Sequence, residues 1–174
     1  MWQHEERPGG TKRPSEDRIA LQDLIAAYSW ALDTGDAEGL VACFTDDCVM
    51  SEEVFEDPDV WEGHEGIRGL MKHYAGASGV PGRQHHVTQV QYRPQADGSV
   101  KMRGFAFVTE CEGEPPYVLR FTGWYDDHAV RDADGKWRFK RRTVRLWDGA
   151  VLEQFPGRGQ WVPRKRPASL IIKR

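Results

Sequence analysis

With 174 residues the chain is long enough for one domain with a full core and too short for two ordinary ones. Its formal net charge of −3, with acids and bases interspersed, excludes the broad basic face of a nucleic-acid binder and leaves a small molecule as the expected partner. Three cysteines (Cys43, Cys48 and Cys111) without metal-type spacing, no secretory leader and no apolar run of the ~20 residues a membrane span needs lead us to expect a cytoplasmic protein with reduced thiols in its core.

Residues 1–15 mix charge with Pro and Gly and read as a flexible N-terminal arm. The stretch Arg18 to Asp36 predicts the first helix, because Leu21, Leu24, Ile25, Tyr28 and Leu32 fall on one stripe. Asp33 lies at the edge of that stripe in the last turn, where unpaired carbonyls and the negative end of the helix dipole should raise a carboxyl's affinity for a proton. Gly35 is suited to a left-handed cap and Asp36 to capping a second helix over Ala37 to Cys43. A strand is expected around Cys48 to Ser51, followed by an acidic segment, Glu52 to Asp59, that reads as a solvated loop.

The run WEGHEGI, from Trp61 to Ile67, should feed a third helix with Ile67, Leu70, Met71 and Tyr74 inward and His73 off the stripe and exposed. After a Gly-rich loop the period drops to two, giving strands over Gln84 to Arg93, Ser99 to Cys111, Tyr117 to Val130 and Lys136 to Trp147. Their short connections imply antiparallel neighbours. Helices followed by a meander make an α+β fold, in which a twisted sheet curls around the helices and leaves an apolar, open-mouthed cone. Residues 149–174 form a basic, Pro-rich tail with Trp161, expected to be a pocket lid, a dimer arm or a solvated segment. A nucleic-acid role for Arg158, Arg164, Lys165, Arg166 and Lys173 is weaker than a plain basic tail, because no folded basic face accompanies them.

The chemistry-bearing residues are few. In Gln84-His85-His86-Val87-Thr88-Gln89, strand alternation puts His85, Val87 and Gln89 on one face and His86 on the other, so the two histidines cannot ligate one metal together. Spacing alone leaves both as ordinary strand residues; of the two, His85 is favoured to face the pocket. Asp33 and His85 then make the simplest acid–base pair available, the carboxylate fixing the tautomer and the free ring nitrogen removing a proton. Tyr28 either holds a substrate oxygen or is core, and Arg142 either steadies an oxyanion or belongs to the solvated run Arg138, Lys140 and Arg141. The motifs of serine hydrolases, P-loops, dinucleotide sites and zincins are absent, and no cofactor or metal is expected.

Four stretches in this order, DLIAAYSWALDTGDAEGLVACFTDDCV, WEGHEGI, QHHVTQVQ and GWYDDHAVRDADGKWRFKRR, resemble the SnoaL-like branch of the NTF2-like superfamily, which includes scytalone dehydratase and polyketide cyclases. The resemblance implies a curved antiparallel sheet wrapped around three N-terminal helices in residues 16–148, assembled as a homodimer or homotrimer. It also implies that Asp33 and His85 match the catalytic pair, that Tyr28 matches the pocket tyrosine of bile-acid dehydratases, and that Arg142 matches a pocket arginine. The expected activity is a cofactor-independent lyase or isomerase on a hydrophobic, oxygenated cyclic molecule. The alternative is a non-catalytic binding or accessory subunit, such as the β subunit of a ring-hydroxylating dioxygenase. Scytalone itself is not the expected substrate, because the second pocket histidine and the first-strand tyrosine have no counterparts here.

Overall fold

The computed structural model describes residues 15–76, 82–110, 115–147 and 165–166. The N-terminal arm, Cys111 and most of the C-terminal tail lie outside the described residues. Helix α1, Ser15–Thr34, buries Leu21, Leu24, Ile25, Tyr28, Ala31 and Leu32, the stripe that the helical period demands. It stops where Gly35 takes φ 76°, a left-handed cap conformation that costs glycine little. Asp36 then accepts a 2.9 Å hydrogen bond from the Gly39 N–H and starts α2, Ala37–Ala42.

Strand β1, Phe44–Glu53, is followed by β2, Asp59–Glu62, by α3, Gly63–Gly76, and by the long strands β3, Arg83–Pro94, β4, Val100–Glu110, β5, Val118–Arg131, and β6, Trp137–Leu146. They form one six-stranded sheet in the order β2-β1-β6-β5-β4-β3. All pairings are antiparallel except β1 with β6, which is parallel because the return from β1 to the meander runs through α3 rather than a tight turn. Register breaks in β1, β3, β4 and β5 bend the strands. Helices α1 and α3 pack on the inner face, α1 against β3 and β6, α3 against β1 and β2.

Three expectations need correction. The segment Glu52 to Asp59 is not a solvated loop at its ends: Glu52 belongs to β1, and Asp59 opens β2 with 7% exposure. His73 is half-buried, its ring 6.2 Å from that of Trp61, and desolvation lowers its basicity. Gln89 does not share a face with His85 and Val87, because it sits at φ 47° in the β3 bulge and is exposed, while Val90 and Tyr92 pack on the core instead.

Candidate active site

Asp33 is carried by the last turn of α1 and His85 by the start of β3, and the two meet where the helix end reaches the sheet edge. The Asp33 carboxylate accepts the His85 backbone N–H through Oδ2 at 2.8 Å, and its Oδ1 lies 2.5 Å from the ring Nδ1. Because a carboxylate only accepts, the hydrogen resides on Nδ1 and the lone pair on Nε2. The side chains keep 9% and 16% exposure for His85 and Asp33, so the pair is screened from bulk water. His85, His86, Val87 and Phe107 line a groove of about 450 Å³ between α1 and β3, with Ile25, Ser29 and Trp30 on the helical side. Within it His86 stacks on Phe107 at 4.6 Å and meets the Thr109 hydroxyl at 3.1 Å.

Tyr28 and Arg142 lie deeper. The Arg142 guanidinium is fully buried and sits 3.7 Å over the Tyr125 ring, 4.0 Å over Tyr28 and 4.5 Å over Phe139. Its Nη1 is 3.6 Å from Asp127 Oδ2, beyond hydrogen-bond range, and its three nitrogens and Asp127 Oδ1 have no hydrogen-bond partner. The guanidinium is packed among three aromatic faces instead, and neither Arg142 nor Tyr28 lines the groove beside His85. Burial outweighs the pull of Arg142 and pushes the Asp127 carboxyl up to about 7. The same desolvation raises Tyr28 well above the ordinary phenol range and Tyr125 to about 12, so both remain phenols and hydrogen-bond donors.

Sequence reasoning missed Glu52, Tyr125 and Asp127, and placed Tyr74 inward without naming its hydrogen-bond partner. Glu52 faces inward and accepts a hydrogen bond from the Tyr74 hydroxyl. Counting alternate residues from Met50 would have placed Glu52 inside, but the following acids and Pro58 hid the strand. In Tyr125-Asp126-Asp127 the same alternation separates a buried from a half-buried carboxylate. Among the described residues no group of three or more His, Cys, Asp or Glu is placed to hold a metal ion. Cys43 and Cys48 are free, buried thiols that desolvation raises to about 11. No described helix is long and apolar enough to cross a membrane.

A curved sheet closed by helices is the NTF2-like, cystatin-like architecture. A structure from Novosphingobium aromaticivorans described as an NTF2-like protein with a cystatin-like fold superposes with TM-score 0.68 at 25% identity, covering 81% of this chain and 91% of that one. The SnoaL-like domain family matches residues 13–143, and the chain belongs to that family. Two further proteins of the same organism are similar. One, provisionally named an aromatic ring hydroxylase, has TM-score 0.65 and 27% identity over 77% of this chain and 91% of its own. The other, provisionally named a scytalone dehydratase, has TM-score 0.61 and 23% identity over 76% and 85%. No curated protein matches the chain.

Proposed function

We propose that this protein is a cofactor-independent lyase or isomerase for a hydrophobic, oxygenated cyclic molecule, of the polyketide, steroid or terpenoid kind. The observation that carries the reading is the doubly held carboxylate–imidazole pair, Asp33 on His85, with the ring 9% exposed. Asp33 holds the tautomer and stabilises the imidazolium; His85 Nε2 removes a proton from a carbon made acidic by a neighbouring carbonyl. The charge that develops on the carbonyl oxygen needs donors, and Tyr28 with Arg142 supplies a phenol and unpartnered guanidinium N–H groups. In an isomerisation His85 returns the same proton to another carbon; in an elimination it can return it to the departing hydroxyl. Native mass spectrometry of gently purified protein identifies the bound small molecule. On that compound His85→Ala should lower turnover by roughly 10² to 10⁴, the usual weight of positioned acid–base catalysis. Full turnover by the variant would refute the reading.

A second reading is favoured by the likeness to the protein named for ring hydroxylation, namely that the chain is a non-catalytic subunit of an oxygenase. Stable co-purification with a larger oxygenase subunit, together with activity indifferent to His85, would establish it.

A further inference from the structure

Strand β3 is an outer strand of the sheet, so one side of its backbone has no ladder partner. In an antiparallel pair a residue either exchanges both its N–H and its C=O with the residue opposite or turns both away, and the two states alternate along the strand. The His85 N–H goes to Asp33 Oδ2 at 2.8 Å, so His85, opposite Val108 of β4, turns both groups away from β4. Val87, opposite Ala106, is the next residue of that kind, while His86 and Thr88 bond to Phe107 and Phe105. Beyond the Asp33 cap, three backbone groups therefore look out from the edge: the His85 carbonyl, the Val87 N–H and the Val87 carbonyl. Among the described residues no hydrogen bond reaches them from outside the ladder. His85 and Val87 both line the groove of about 450 Å³ beside α1, whose other walls include Ile25, Ala26, Trp30 and Phe107. The open stretch of edge is short, because Asp33 closes it at His85 and the bulge at Gln89, φ 47°, interrupts the strand two residues beyond Val87. A whole strand, from a second copy or another protein, needs several consecutive pairings and finds one here.

We propose that this groove binds a single N-acylated α-amino carbonyl unit, NH–CHR–CO with an apolar R group, laid along the β3 edge as a strand one residue long. Its carbonyl accepts the Val87 N–H. Its own N–H donates to the carbonyl of Val87 or of His85, according to the direction in which the unit lies. The R group and the acyl group rest on the apolar walls of Ile25, Ala26, Trp30 and Phe107. Binding of this kind uses the backbone for orientation and the walls for apolar burial, and it involves no covalent step. The inference stands on the strand edge and not on the proton transfer proposed for His85, so binding is expected whether or not that imidazole does chemistry.

The open edge can be read without any ligand, by amide hydrogen exchange followed by NMR. Val87 should exchange much faster than His85, held by Asp33, and His86, bonded into the ladder. Slow exchange at Val87 would mean that the edge is already taken, by a second copy if protection rises with protein concentration and by another part of this chain if it does not, and either result overturns the proposal. Binding is tested with N-acetyl-leucine N-methylamide as probe. Its titration should move the Val87 amide proton downfield and slow its exchange. The ester analogue, in which oxygen replaces the leucine N–H, should bind roughly 2- to 10-fold more weakly, the weight of one hydrogen bond. Val87→Pro removes an N–H that faces away from the ladder, a change that edge strands accept, and should weaken the probe by a similar factor. If Val87→Pro does not fold, the two compounds decide the matter on the unaltered protein. Equal binding of probe and ester, an unmoved Val87 amide at saturation, or no binding of the probe at millimolar concentration overturns the inference and leaves the proposed role of His85 standing.

Discussion

Arg142 is where stability and function pull apart most clearly. Enclosed by Tyr28, Tyr125 and Phe139, its guanidinium gains cation–π attraction, worth about 2 kcal/mol when desolvated, yet three nitrogens go unanswered. Replacing both members of the pair by well-packed apolar residues removes that desolvation cost, whereas removing the arginine alone leaves Asp127 buried and unpaired. Arg142→Met combined with Asp127→Leu should therefore be neutral or stabilising by up to about 4 kcal/mol in urea unfolding, and Arg142→Ala alone destabilising by about 3 to 5 kcal/mol. On the proposed mechanism the double variant should still lose turnover, because the oxyanion would lack the guanidinium donors.

Asp127 gives a pH dependence whose sign is fixed by its folded-state pKa of about 7, above the ordinary aspartate value. Between about pH 4 and about pH 7 the unfolded chain has lost this proton and the folded chain keeps it, so stability contributed by the group falls as pH rises and levels off above about 7. The wild type should lose a few kcal/mol of unfolding free energy across that window relative to Asp127→Asn, because each tenfold difference in proton affinity between folded and unfolded chain is worth about 1.4 kcal/mol. An equal slope in both proteins would mean that Asp127 is ionised throughout.

The elements depend on where the strands bend. Gly104 of β4 lies against the β3 bulge, and a Cβ there would meet Val90 Cγ2 at 3.0 Å, Val87 Cγ1 at 3.1 Å and the Thr88 carbonyl at 3.2 Å. Gly104→Ala should cost about 1 to 3 kcal/mol by overpacking, read as a lower urea midpoint, and should disturb the strand that carries His85. Such bends explain what the sequence did and did not disclose. The helical stripes of α1 and α3 and the period-two runs of β3 to β6 located those elements within a few residues, because each buries one continuous face. Strand β2 and the inward turn of Glu52 stayed hidden, since a four-residue strand behind a proline and four acids has no period to read. The exposed Gln89 escaped for a related reason: a bulge reverses the alternation, and only the backbone at φ 47° reveals it.

At the scale of the whole molecule, the site is assembled from elements that are distant in the chain, and one of its ties comes from the tail. The Arg166 side chain is 9% exposed, with Nε 3.0 Å from Asp57 Oδ2, Nη2 2.8 Å from Asp59 Oδ2, and its guanidinium 4.7 Å over Phe55. Asp59 is itself buried and is the register partner of Glu52. Removing the cation strands a buried carboxylate, so Arg166→Ala should destabilise the fold by about 3 kcal/mol in thermal or urea unfolding. The basic tail thus has at least one residue engaged with the cone's own acids, which composition alone could not foretell. The pairing of Asp33 with His85 was legible through helix ends, strand alternation and family likeness. The buried floor of Arg142, Asp127 and Tyr125 was legible only in part, because a run of arginines looks solvated until the register decides which one turns inward.

In the proposed mechanism an imidazole oriented by a carboxylate removes a proton from carbon. Its most direct test is the rate at which solvent deuterium enters cyclic ketones and hydroxyketones in the presence of wild type, Asp33→Asn and His85→Gln. Exchange should be catalysed by the wild type and fall by roughly 10² to 10⁴ in each variant. Exchange that is equally fast in all three proteins would contradict it.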